Sequence, residues 1–239
     1  MIKVHEFNTQ WSGQRVGIIT DYGFFSLPFR ERKELLKSFS WVECVGLSSQ
    51  LPVRERLSHC GFYHADSQVQ FRLGLRKVPQ TCTGKQLRFL SFAERRFELS
   101  SSQMMTFRHE RFYSIPGQDE TLVAQRYAIW AHRLMNEYPE TCIAGYLHDT
   151  LQGWFLSHPM NSVLDLTLAV LKCDAVISGL DFYSGATAYY CSQGYRIGRA
   201  GFSLRNTAVH NIFASIGARF TEPREVWFYH YSQDLELVR

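Results

Sequence analysis

The sequence predicts an α/β protein in two lobes, and three observations carry that prediction. Strand-like and helix-like patterns alternate along all 239 residues. The polar stretch Lys77 to Gly84, which holds Pro79 and Gly84, interrupts them once and divides the chain into residues 1–78 and 79–239. The composition, 45 % hydrophobic and 20 % charged, is that of a soluble chain with ample material for a packed core.

In the first lobe, Arg15 to Thr20 reads as a strand. Phe29 to Phe39 reads as a helix with Leu35, Leu36 and Phe39 on one side. A strand over Val42 to Leu47, a helix over Val53 to Cys60 closed by Gly61, and an alternating strand over Val69 to Leu75 complete a β-α-β-α-β order. The second lobe opens with a strand at Gln86 to Leu90 and a helix expected at Phe92 to Leu99, followed by an aromatic, basic loop over Phe107 to Tyr113. Asp119 then caps a helix running to Tyr138, with Val123, Tyr127, Trp130 and Leu134 on one face and Pro139 as its stop. Thr141 to Leu147 and Gln152 to Leu156 form a hairpin across His148-Asp149-Thr150. Val163 to Leu171 is an apolar strand whose polar residues are Asp165 and Thr167. A helix from Gly179 to Gln193, a strand from Tyr195 to Leu204, a helix over Thr207 to Ile216 capped by Asn206 and closed by Gly217, and a strand over Val226 to Tyr231 finish the chain.

Several function classes are excluded by what the residues do not form. A net charge of +4 is too mild for the basic stripe of a nucleic-acid binder, although it suits a small anionic ligand. No run of 18 apolar residues exists to span a membrane. The N-terminal residues lack the apolar core of an export signal, and the six cysteines form no CxxC pair. Free thiols and a cytoplasmic location are therefore expected. The nine histidines make no HExxH, so no metal site is expected, and neither GxSxG nor a Walker A sequence is present. Gly194, Gly198 and Gly201 follow a helix and lead into a strand, which is the wrong context for a dinucleotide fingerprint. The turn at Ser178-Gly179 remains as a candidate. A helix starting after a buried strand presents unpaired N–H groups and a positive dipole end, which can hold a pyrophosphate without a charged side chain.

The order of the second lobe, β-α-α-β-β-β-α-β-α-β, resembles that of the GNAT N-acyltransferases: a mixed central sheet flanked by helices. The closing run of Gly194-Tyr195-Arg196, the strand through Ser203, Asn206-Thr207-Ala208, Phe213 and Gly217 to Phe220 is similar to the end of such a domain. Within the superfamily the chain is most similar to the bacterial TDP-fucosamine acetyltransferases. That similarity lies in Trp11-Ser12-Gly13, in Arg56 to Phe62, in Arg111 to Pro116 with Gln125 to Trp130, and in Asn206-Thr207-Ala208. It implies a smaller, partial GNAT-like N-terminal lobe before the transferase domain. It further implies acyl transfer from acetyl-CoA or another short acyl-CoA to a small-molecule amine, a nucleotide-linked amino sugar of cell-surface (lipopolysaccharide) biosynthesis, with a homodimer as the common assembly of such domains. Coenzyme A contacts are expected from Leu168, Val170, Ile177, Ser178, Gly179, Leu180, Asn206 and Phe213. Asp165 is the candidate base, and Arg108, Arg111 and Tyr113 are candidate contacts to an anionic nucleotide.

Two departures from the family pattern stand out. The pyrophosphate loop is reduced to Asp174 to Asp181, with Gly179 its one clear glycine, and the tyrosine that protonates the leaving thiolate is replaced by Phe213. The departures keep open an alternative, a degenerate GNAT fold that binds a ligand or a protein without turnover.

Overall fold

The computed structural model describes residues 1–78, 87–105, 107 and 109–231. Among them, strands and α-helices follow in the order β1 (Ile2–Val4), α1 (Glu6–Ser12), β2 (Val16–Ile19), α2 (Phe29–Leu36), β3 (Trp41–Leu47), α3 (Arg54–His59), β4 (Tyr63–Gly74), β5 (Leu87–Ser91), α4 (Ser101–Met104), α5 (Glu120–Glu137), β6 (Cys142–Leu147), β7 (Thr150–Met160), β8 (Val163–Leu171), α6 (Gly179–Ser192), β9 (Ile197–Ser203), α7 (Thr207–Ser215) and β10 (Arg219–His230). The expected boundary after residue 78 falls at the edge of residues 79–86, which lie outside the described residues. The chain forms two compact units. One comprises Met1–Gln68, His109–Val123 and the chain from Glu222 onward; the other comprises Val69–Arg108 and Ala124–Thr221. Strands β4 and β10 therefore each give one part to either unit.

In the first unit β1 pairs antiparallel with β2, β2 parallel with β3, and β3 antiparallel with β10 over Leu47↔Arg224 to Trp41↔His230. One face of this mixed sheet closes over Phe24, Phe25, Leu36, Leu57, Phe62, Trp227 and Tyr229. The Phe24, Phe25 and Phe62 rings meet edge to face, the arrangement that the ring quadrupole favours.

In the second unit the strand order is β4-β9-β8-β7-β6-β5, antiparallel from β5 to β8 and parallel between β8 and β9. The β6–β7 hairpin turns at His148 (φ 46°) and Asp149 (φ 63°), two left-handed residues whose twist matches the flanking strands. Helices α6 and α7 cover one face. Phe182, Tyr183, Ala186 and Tyr190 of α6, Phe213 of α7 and Ile216 just after it pack on Phe71, Leu73, Ile143, Phe155, Leu164 and Leu166.

One expected element is absent. Phe92 to Leu99 does not form a helix, because Ser91 and Glu94 satisfy each other instead. Ser91 N and Oγ donate to Glu94 Oε2 at 2.7 and 2.9 Å, and Glu94 N donates to Ser91 Oγ at 3.2 Å. That local turn competes with helix propagation, and the short α4 starts only at Ser101, behind a capping box of Ser100 and Gln103. Strands β4, β7 and β10 are longer than their apolar patterns suggest, since ladder pairing continues past the alternating residues.

Candidate functional site

The site is built on strand β8. Along its whole length β8 is paired with β7, but its parallel pairing with β9 runs only from Val163↔Ile197 to Asp165↔Arg199. Beyond Asp165 the β9-facing edge of β8 has no ladder with β9, although β9 continues to Ser203. At the same point β8 bulges, because Leu166 and Thr167 together face the single residue Ser157 between the pairs Leu156↔Leu168 and His158↔Asp165. A bulge releases backbone groups from the ladder and re-aims side chains. Main-chain N–H and C=O groups need partners, so a fork between two strands, edged by a bulge, is suited to an extended ligand that carries amide groups of its own.

The far end of β8 leads into α6. Ser178 caps this helix, its Oγ accepting from Asp181 N at 3.1 Å and donating to Asp181 Oδ2 at 2.7 Å. The intervening loop is pinned by Gln152, which the second bulge of the sheet, between Gly145 and Tyr146, turns inward on β7. Gln152 is 1 % exposed, its Oε1 accepts from Val176 N at 2.9 Å, and its carbonyl accepts from Lys172 N at 2.9 Å. Lys172 pairs with Asp174 at 3.0 Å, and this bond holds the Asp174 carboxyl below its ordinary range. The α6 N-terminus thus offers backbone N–H groups and a positive dipole end. The loop before it carries the Asp174 carboxylate, its own first turn carries Asp181, and the loop's Val176 N–H is already engaged by Gln152.

The sequence-derived site residues fall into two sets. Asp165, Leu168, Val170, Ile177, Ser178, Gly179, Leu180, Asn206 and Phe213 all lie in the second unit. Asp165 faces His158 across the β7–β8 ladder, and its Oδ2 accepts from Arg199 Nε at 3.2 Å. The side chains of Leu168 and Val170 are buried, so what these residues can offer at the strand edge is main chain. Ile177 belongs to the core and Leu180 is exposed. Gly179 permits close packing, since a Cβ there would stand 2.8 Å from Ile212 Cδ1. Asn206 caps α7 through an Oδ1 that accepts from Val209 N at 3.2 Å. Phe213 is a core ring, 4.1 Å from the Phe71 centroid and 5.9 Å from that of Phe202.

Arg111 and Tyr113 lie in the first unit, and Arg108 lies outside the described residues. Arg111 Nε donates to the buried carboxylate of Glu43 at 2.9 Å. Burial, then the neighbouring Glu120, Glu110 and Asp119, push the Tyr113 hydroxyl above its ordinary pKa. These acidic surroundings disfavour an anion.

Two residues of the site escaped the sequence reading. Gln152 is a polar residue beside Gly153 at the start of an apolar run, and a glycine within a strand signals a bulge. The other is His158. Thr167 Oγ1 lies 3.0 Å from His158 Nδ1 and 3.1 Å from Asp165 O, so one hydroxyl links the imidazole to the β8 main chain. No sequence pattern marks this pair, which the β8 bulge brings together.

No protein-family model and no curated protein matches the chain. Solved structures do. A GCN5-related N-acetyltransferase from Sphaerobacter thermophilus superposes with a TM-score of 0.53 at 11 % identity over 80 % of this chain, which spans 59 % of that protein's length. A conserved protein of unknown function from Staphylococcus epidermidis gives 0.57 at 10 % identity, covering 90 % of this chain and 84 % of that one. A tandem GNAT protein from the clavulanic acid biosynthesis pathway gives 0.53 at 10 % identity, covering 90 % and 75 %. The fold is that of the GNAT acetyltransferases. Among the described residues no helix is long and apolar enough to cross a membrane, and no cluster of three or more His, Cys, Asp or Glu is placed to hold a metal ion.

Proposed function

We propose that the chain is an acyl-CoA-dependent N-acyltransferase acting on a primary amine. The observation that carries this reading is the fork between β8 and β9 with its bulge at Leu166-Thr167, followed by the open start of α6. Bound coenzyme supplies an activated acyl group as a thioester. The released edge of β8 holds the amide-bearing arm, and its N–H groups near the bulge polarise the thioester carbonyl, a preorganised stabilisation of the developing oxyanion. Ser178 and the first N–H groups of α6 take the pyrophosphate, and Asn206 and Phe213 support the coenzyme side of the site. Held in this geometry, a neutral amine attacks directly, without an enzyme nucleophile. Asp165, with Oδ1 left outside its bond to Arg199, is the residue we assign to take the amine proton.

For the acceptor we retain a nucleotide-linked amino sugar of cell-surface polysaccharide synthesis, on the strength of the sequence resemblance, and for the whole protein a cytoplasmic homodimer. A second reading, a binding module without turnover, draws support from the Gln152 bond that already engages Val176 N–H and from Asp181 at the helix start. Thermal melting with millimolar acetyl-CoA, followed by thiol release over a panel of primary amines including TDP-linked amino sugars, tests both. A ligand that binds the native state raises the melting temperature by mass action. Stabilisation with thiol release is the result expected of the enzyme. No stabilisation sinks the coenzyme reading, and stabilisation without release from any amine selects the binding module.

A further inference from the structure

Position 213 has no proton to give, but the ring packed against it does. Tyr183 of α6 meets Phe213 edge to face at 5.2 Å, and its other side meets Phe155 of β7, also edge to face at 5.2 Å. Phe213 in turn rests on Phe202 of β9 and Phe71 of β4. Since β8 lies between β7 and β9, the contact between Tyr183 and Phe213 spans β8 where it parts from β9. Tyr183 is 7 % exposed, yet its hydroxyl makes no hydrogen bond to any described residue. Two turns further along the same helix, Tyr190 shows how a structural tyrosine is treated. Its hydroxyl donates to the carbonyls of Thr141 and Phe155 at 2.8 and 3.1 Å. A nearly buried hydroxyl with no partner among the described residues, on a ring held between Phe155 and Phe213, is poised for a ligand atom.

Resting on the acyltransferase reading, we propose that Tyr183 is the acid that protonates the leaving thiolate in this protein, taking the role that Phe213 cannot fill. The amine nitrogen bonds to the thioester carbon, the C–S bond breaks with its electron pair to sulfur, and the Tyr183 O–H gives sulfur its proton. The tyrosinate regains a proton from solvent. Burial pushes the Tyr183 hydroxyl well above the ordinary tyrosine range, so it is protonated at neutral pH.

The test uses the full chain with acetyl-CoA and hydroxylamine, a small nucleophile that requires no fitted acceptor pocket, and reads thiol release. Tyr183→Phe is expected to lower kcat at least about ten-fold, the lower part of the usual general-acid effect, while leaving the KM for acetyl-CoA and the melting temperature near those of the wild type. Adding Phe213→Tyr to that variant returns the hydroxyl to the cleft and is expected to restore most of the rate. Equal kcat for the wild type and Tyr183→Phe overturns the proposal while leaving the acyltransferase reading intact. Should Tyr183→Phe fail to fold, Phe213→Tyr alone decides. A rate within about three-fold of the wild type supports Tyr183, whereas a gain approaching the factor of about 10² that a newly supplied acid brings overturns it. Rates are read above the enzyme-free reaction of hydroxylamine with acetyl-CoA; a wild type that binds no acetyl-CoA, or that releases no thiol above that background with hydroxylamine or any amine of the panel, overturns the acyltransferase reading and this inference with it.

Discussion

Glu43 is 2 % exposed on β3, and the Arg111 guanidinium is its 2.9 Å partner, with His5 Nε2 3.8 Å from the other oxygen. Removing one member of a buried pair strands the other, at about 3–5 kcal/mol. Arg111→Ala is therefore expected to lower the melting temperature by many degrees with little effect on acetyl-CoA binding. A stable variant that has lost nucleotide affinity would instead return Arg111 to the substrate-contact role that its sequence context suggests. The five described cysteines are free thiols, and burial pushes those of Cys44 and Cys142 up to about 12. A thiolate is the reactive form, so a disulfide reagent at pH 8 should modify the exposed Cys173 rapidly and reach Cys44 and Cys142 only on unfolding. Peptide mapping of the labelled protein gives the order.

At the scale of elements, the bulge on β7 is a fastening device. It turns Gln152 toward the loop before α6, where one amide oxygen fixes Val176. Gln152→Leu removes that acceptor and is expected to cost about 1–3 kcal/mol, the usual consequence of leaving a buried donor unpaired. Hydrogen exchange of residues 173–178 should accelerate more than that of β8, and equal exchange in the wild type and Gln152→Leu would show that Gln152 does not hold the loop. Asn206→Ala removes the α7 cap and should cost about 1 kcal/mol, whereas Asn206→Asp keeps an accepting oxygen and most of the stability, as chemical denaturation would read. Local patterns foretold much of this architecture. The 3.6-residue spacing of Val123, Tyr127, Trp130 and Leu134, the apolar run of β8 and the Asn206 cap were all legible. The bulges at Gln152 and Leu166-Thr167 were not, because a bulge is a mismatch between two strands and neither strand alone records it. The false helix at Phe92 to Leu99 fails for a related reason. Its apolar spacing is helical, but the Ser91–Glu94 turn intercepts the chain first.

For the whole molecule, several groups raised by burial set an alkaline limit, Cys44, Cys142 and the half-buried Tyr63 among them. Burial raises Cys44 and Cys142 from 9.0 to about 12 and Tyr63 from 10.0 to about 12. Each folded pKa lies above its unfolded value, so the native state binds the proton more tightly. The associated stability is complete below about pH 9 and is lost as pH rises toward 12. Denaturant midpoints measured at pH 8, 9.5 and 11 should fall in that order, and a flat profile would show these groups to be solvated in the native state. The interleaving of the two units has a consequence for biosynthesis. β3 finds its partner in β10, which leaves the ribosome only after the entire second unit has been made. Until then β3 carries an unpaired edge, the kind of surface on which strands from other chains assemble. The nascent first unit cannot complete its own sheet, so a chain interrupted before Arg224 carries an unfinished fold in a part that was synthesised well before the interruption.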